Sequence, residues 1–321
     1  MAYHDRGDAF YFKQDYAASI KDLDEAIRLD PKSARAFTDR ASTYAKLGRI
    51  DQAIADDTEA IRLDLLTPEF FDNRGLAYAD NGDYDSAIAD YNEAIRLRPE
   101  AKFLDNRGNS YNYKGDYDRA IADYDRAIAL DPGFSLAYND RGAAYGNKGD
   151  VDRAIADDDA AIKLNPTAAA YGNRGSAWAA KGESNRALAD LDQAIKLDPR
   201  APDTYVNRGN VRRERLDLTA AIADYTQAIS LAPNLALAHY NRAWAHYLAG
   251  DNADALSDSD RAVALDDRSA IAFSTRGLIR ERLGDTAGAA ADFRQALKLD
   301  PSFQQPAEGL KRLQAGPPKS Q

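Results

Sequence analysis

Apolar residues along this chain recur at helical spacing in two short stretches separated by a turn, and the whole unit then repeats. Aligning the chain on itself at Asn73-Arg74-Gly75, Asn106-Arg107-Gly108, Asn173-Arg174-Gly175 and Asn207-Arg208-Gly209 yields an arginine column. It runs Arg6, Arg40, Arg74, Arg107, Arg141, Arg174, Arg208, Arg242 and Arg276, with steps of 33 or 34 residues. The first stretch carries an aromatic or apolar residue three positions before the arginine and Gly or Ala just after it. Tyr, Phe or Trp usually stands four positions after it, so these residues share one helical face. Glycine eight positions after the arginine (Gly48, Gly82, Gly115, Gly149, Gly182, Gly250, Gly284) is expected to end the helix in a left-handed cap. An acidic residue then opens the second helix at its positive end, as at Asp83, Asp116, Asp150, Asp251 and Asp285. The second stretch reads Ala-Ile, Ala-Ile-x-Leu and closes on Asp-Pro or Asn-Pro, as at Pro31, Pro132, Pro166 and Pro301, where proline blocks continuation.

The pattern predicts nine helical hairpins over residues 2–301, at about 2–33, 34–67, 68–100, 101–134, 135–167, 168–201, 202–235, 236–269 and 270–301. A capping helix is expected over 302–314, because an end hairpin leaves an apolar face open, and 315–321 reads as a flexible tail. Two charged columns never vary. The arginine has an aspartate sixteen positions on, from Asp22 and Asp56 through to Asp258 and Asp292, and the turn lies midway between them. Antiparallel helices would bring the two to the same height, predicting an ion pair within or between hairpins. An exposed pair of this kind contributes about 0–1 kcal/mol. The alanine column that includes Ala94, Ala127 and Ala228 permits close helix contact.

Composition narrows the function. The 321 residues carry 52 acidic and 42 basic side chains, a net charge of −10, which argues against a nucleic-acid partner. There is no cysteine and there are three histidines, so no disulfide, thiol chemistry, metal site or cofactor is expected. No apolar run approaches the ~20 residues of a membrane span, and Met1-Ala2-Tyr3-His4 does not open a signal peptide, so a cytoplasmic protein is expected. The aspartate-rich segments Asp116-x-Asp118 and Asp157-Asp158-Asp159 lie in or beside helices and lack the glycine of a calcium-binding loop. No catalytic triad, phosphate loop or paired loop carboxylates are present. The chain reads as no enzyme.

The arginine-flanking aromatics, the small residue, the paired alanines and the terminal proline resemble the tetratricopeptide repeat family over about nine-tenths of the chain. The arginine itself departs from that family's usual leucine. The resemblance implies an all-α, right-handed superhelical α-solenoid of helix-turn-helix repeats, with the first helices lining a concave face. It also implies that ligands contact the residues flanking the arginine on that face. The position before the arginine gives Asp39, Asn73, Asn106, Asp140, Asn173, Asn207 and Asn241, similar to the asparagine ladders by which family members hold extended peptides. An asparagine amide can meet a peptide C=O and N–H together, whereas an aspartate only accepts. Asp72, Asp80 and Asp105 would make the first half of the face acidic, and Tyr240, Trp244 and Tyr247 form an aromatic patch in the eighth copy.

The reading is a non-catalytic scaffold that binds a protein or an extended, basic peptide and is itself a monomer. The rival readings are a structural self-assembly module and the targeting arm of an enzyme.

Overall fold

The computed structural model describes residues 2–315, which form nineteen α-helices and no strand. They fall into two compact units, Met1–Pro166 and Thr167–Gln321. The first unit holds α1 (Ala2–Phe12), α2 (Tyr16–Leu29), α3 (Ala34–Lys46), α4 (Ile50–Leu63), α5 (Pro68–Asp80), α6 (Tyr84–Leu97), α7 (Ala101–Tyr113), α8 (Tyr117–Leu130), α9 (Ser135–Lys148) and α10 (Val151–Leu164). The second holds α11 (Ala168–Ala180), α12 (Ser184–Leu197), α13 (Pro202–Glu214), α14 (Leu218–Leu231), α15 (Ala236–Ala249), α16 (Asn252–Leu265), α17 (Ala270–Arg282), α18 (Thr286–Leu299) and α19 (Gln304–Ala315). Within each unit every odd-numbered helix up to α17 pairs with the helix after it, and successive odd-numbered helices also touch. Each unit therefore presents a face built from first helices. Residues 316–321 of the expected tail lie outside the described residues, whereas Ala315 closes α19.

The turns follow the local chemistry. Gly48, Gly82, Gly115, Gly149, Gly182, Gly250 and Gly284 take φ between 71° and 92°. The two copies without that glycine force Gln14 and Leu216 into the same left-handed conformation, each at φ 61°. An L side chain there costs about 1–2 kcal/mol. Asp15, Asp83, Asp116, Asp150, Asp217 and Asp285 cap the following helix by accepting from the third amide along.

Within each hairpin the residue after the invariant aspartate faces the small residue after the arginine. In the third copy this is Tyr91 against Gly75, so close that a Cβ on Gly75 would lie 2.7 Å from the Tyr91 ring. Tyr124, Tyr225 and Phe293 occupy the same position in other copies and, like Tyr91, are fully buried. The alanine column is likewise buried, Ala94, Ala127 and Ala228 completely. The last hairpin is covered by α19, where Ser274 donates to Gln305 Oε1 at 2.9 Å and Arg312 pairs with Glu281 at 2.8 Å.

Candidate functional site

The arginine and aspartate columns form the frame that holds the first-helix face. All nine pairs close within their own hairpin; Arg40, for example, donates through Nε and Nη2 to the two oxygens of Asp56, each at 2.7 Å. The same guanidinium also reaches the preceding hairpin, donating from Nη1 to Asp24 at 2.6 Å. Arg141 to Asp125, Arg208 to Asp192 and Arg276 to Asp260 repeat this third bond. Its ring neighbours explain the flanking aromatics: the Arg40 guanidinium lies 5.6 Å from the Phe37 ring and 5.7 Å from that of Tyr44. The expectation of weak, exposed pairs is corrected here. The Asp56, Asp90, Asp123 and Asp224 side chains are only 3–11% exposed. Removing the arginine from such a buried carboxylate costs about 3–5 kcal/mol.

The ladder is stitched to its own neighbours. Asn73 Nδ2 donates to Thr38 Oγ1 at 3.0 Å, Asn106 Nδ2 to Asp72 at 2.8 Å, and Asn207 Nδ2 to Ser176 Oγ at 3.2 Å. Each bond runs to the preceding hairpin, so these amides are oriented by the stack. Each of these amides spends one of its two N–H donors on the stack, which leaves its second N–H and its oxygen. Asn173 is partly buried. Asn241 is 4% exposed; its Oδ1 accepts from Arg213 Nη1 at 3.3 Å, and its Nδ2 is buried with no hydrogen-bond partner. Asp39 bonds to His4 Nε2 at 2.6 Å, and Asp140 accepts from Asn109 at 3.0 Å and Asn139 at 2.9 Å.

The acidic half also changes. Asp80 is exposed, but Asp72 and Asp105 are each only 5% exposed, turned toward the neighbouring hairpin rather than toward solvent. Burial raises both carboxyls, that of Asp105 to about 8 with Asp140 nearby, so the negative field of this face is weaker than the aspartate count suggests. His4, Asp8 and Asp39 bring three metal-type donor atoms within 4.8 Å of one another, although Arg35 also approaches Asp39, at 3.9 Å. In the eighth copy Trp244 stacks on Tyr247 with centroids 5.1 Å apart, and Arg282 lies 3.8 Å over the Tyr247 ring. Tyr240, Trp244 and Tyr247 are all partly buried, leaving part of each ring open.

Two cavities open between consecutive first helices, one in each unit, and they share one register. The first, about 290 Å³, is lined by Ser42, Ala45, Lys46, Asp57, Asn73, Leu76, Ala77 and Asp80, with Tyr11, Ala41 and Ala53. The second, about 230 Å³, is lined by Ser176, Ala179, Ala180, Leu191, Asn207, Asn210, Val211 and Glu214. Ser42 corresponds to Ser176, Asn73 to Asn207, Asp80 to Glu214 and Asp57 to Leu191. In both, Asp57 and Leu191 stand where Tyr91, Tyr124 and Tyr225 fill the equivalent space, although Leu23, Asp158 and Ser259 lack the ring as well. Asn73, Asp80 and Asn207 were legible as candidates. Ser42, Ser176 and Glu214 flank the arginine on the face that the resemblance implied but were not singled out; Asp57 and Leu191 were missed, and their signal is the loss of the ring directly after the invariant aspartate.

Comparison with known proteins agrees with this architecture. Family models described as "TPR repeat" match residues 7–48, 108–149, 175–214 and 209–250, and models described as "Tetratricopeptide repeat" match 34–65, 73–100, 136–167 and 270–303. A 50-residue segment, 16% of the chain, is 38% identical to the Hsp70-Hsp90 organizing protein of Triticum aestivum, of which it spans 9%. Among solved structures, the APC/C hetero-tetramer Cut9-Hcn1 shares the fold at a TM-score of 0.70 and 18% identity, over 91% of this chain and 58% of that one. A tetratricopeptide repeat protein from Parabacteroides merdae does so at a TM-score of 0.59 and 21% identity, over 77% of this chain and 98% of that one. Among the described residues no helix is long and apolar enough to cross a membrane. With family models matching copy after copy and the helical hairpins they describe present in both units, the chain belongs to the tetratricopeptide repeat family.

Proposed function

We propose that the protein is a non-catalytic, monomeric scaffold whose first-helix faces hold extended polypeptide segments. The observation that carries this reading is the recurrence of one cavity, at one register, beside an oriented ladder asparagine in each unit: Asn73 in the first and Asn207 in the second. With Nδ2 engaged by the preceding hairpin, the amide oxygen is the group that a peptide N–H would meet. Each cavity then accepts a side chain of the same segment. The match to a segment of a chaperone-organizing protein supports a role in protein interaction in general. In the second unit the Trp244–Tyr247 stack offers an apolar anchor, and exposed acids such as Asp80 favour a basic segment.

The test is selection of binders from a library of unstructured peptides, followed by measurement against two variants. Ser42→Arg with Ser176→Arg obstructs both cavities on partly buried positions, and affinity should fall at least tenfold while helicity is unchanged. Trp244→Ala should speed release, by up to about 30-fold for a hot-spot aromatic worth ~2 kcal/mol. Selected peptides that bind both variants as tightly as the parent chain would contradict the reading.

A further inference from the structure

The floor of the first cavity is chemically unlike that of the second. The copies without a ring differ at this position: Leu23 and Leu191 are apolar, whereas Asp57, Asp158 and Ser259 are polar. In the second copy Asp57, a carboxyl 2% exposed, lies at the bottom of an open cavity. Its Oδ1 accepts from the Thr38 hydroxyl at 2.6 Å, and Thr38 in turn accepts from Asn73 Nδ2 at 3.0 Å. Ladder asparagine, hydroxyl and carboxyl thus form one relay that fixes the orientation of the acid. Around it the wall is short and apolar: Ala41, Ala45, Ala53, Leu76 and Ala77.

We propose that this cavity binds a lysine side chain of a partner polypeptide, with the methylenes along the alanine wall and the ammonium on Asp57. This rests on the scaffold reading and specifies the ligand for one of its cavities. Lysine fits better than arginine because Thr38 already crowds one carboxylate oxygen, which hampers the planar two-oxygen approach of a guanidinium fork. A compact ammonium on a flexible stem needs only one. The exposed Asp80 adds a second negative group to the lining, against the single cation Lys46.

Proton linkage follows. Burial pushes the Asp57 carboxyl up to about 8; Asp56 and Asp90 act in the same direction, while Thr38 and Arg74 oppose them. An entering ammonium must therefore displace a proton. Affinity should rise about tenfold per pH unit up to about pH 8 and level off above it, while lysine itself, with a pKa near 10.4, stays charged.

The experiment titrates the full chain with the peptide acetyl-Gly-Ala-Lys-Ala-Gly-amide and with its norleucine counterpart, followed by amide chemical shifts. The lysine peptide should perturb Ala45, Asn73 and Ala77, about tenfold more tightly at pH 7 than at pH 6. The norleucine peptide should leave these amides unmoved. The variant Ala41→Gly with Asp57→Tyr installs the glycine–tyrosine pair of the third copy, so it fills the cavity and should keep the fold while abolishing the shifts. Asp57→Asn should bind weakly and without pH dependence. The proposal is overturned by equal binding of the norleucine peptide, by lysine binding that survives the filled variant, or by no shift at millimolar peptide and pH 8. Library-selected peptides that still bind the filled variant would, in that event, leave the wider scaffold reading standing.

Discussion

The cavity in the first unit and the cavity in the second are built from the same register of the same repeat, yet they end on opposite chemistry. Asn73 and Asn207, Ser42 and Ser176, Asp80 and Glu214 occupy matching places around them. Beneath, one floor is the carboxyl of Asp57 and the other the isobutyl group of Leu191. The constant columns hold the hairpins, while the position after the invariant aspartate varies, from Tyr91 and Tyr124 through Leu23 and Leu191 to Asp57, Asp158 and Ser259. On the proposals above, recognition would be set from the second helix, beneath the face where a ligand would lie.

The largest effect should come from turning a filled copy into an open one. Tyr91→Ala removes a fully buried ring packed on Gly75 and should cost about 3–5 kcal/mol, read by urea unfolding. Because repeat stability is close to nearest-neighbour, hydrogen exchange should accelerate first in α5 and α6. A loss under about 1 kcal/mol would mean that the ring column does not set the packing.

A smaller gain should follow from giving the first cavity the floor of the second. Asp57→Leu replaces a buried acid by an apolar side chain and should gain stability over the parent as pH rises to 8. The sign follows from the raised carboxyl: its contribution is full below the unfolded value near 4 and is lost as pH climbs to about 8. The difference between variant and parent should therefore widen from pH 4 to pH 8. A gap independent of pH would place the Asp57 carboxyl at an ordinary value.

The smallest effect concerns the turns. Leu216→Gly relieves a left-handed leucine that packs against little and should add about 1 kcal/mol to the second unit, whereas the same exchange at Leu47, with φ −91°, should add nothing. Thermal unfolding of the two variants makes the comparison.

The hairpins were legible because their signals are local: a glycine at the turn, a proline after the second helix, an aspartate at the cap. Even where the glycine is absent, Gln14 and Leu216 hold its register. The arginine–aspartate pairing was legible from spacing alone. Its third bond, from Arg40 to Asp24 and its equivalents, was not, because self-alignment gives heights within a hairpin but not which side chain of the next one faces them. The same limit hid the burial of Asp72 and Asp105, which the family resemblance put on the open face. The cavities escaped for a different reason. They arise from volume that Asp57 and Leu191 fail to fill, and the lost ring that marks them in the sequence is equally lost at Leu23, Asp158 and Ser259.

The most direct measurement of the central claim, that the residue beneath each cavity selects its occupant, is the preference of the Asp57→Leu chain between the lysine and norleucine peptides. The parent chain should favour lysine at Ala45, Asn73 and Ala77, most strongly at pH 8. With the floor exchanged, the same amides should respond to norleucine and no longer to lysine, and the pH dependence should vanish. A lysine preference that persists in the Asp57→Leu chain would contradict the account.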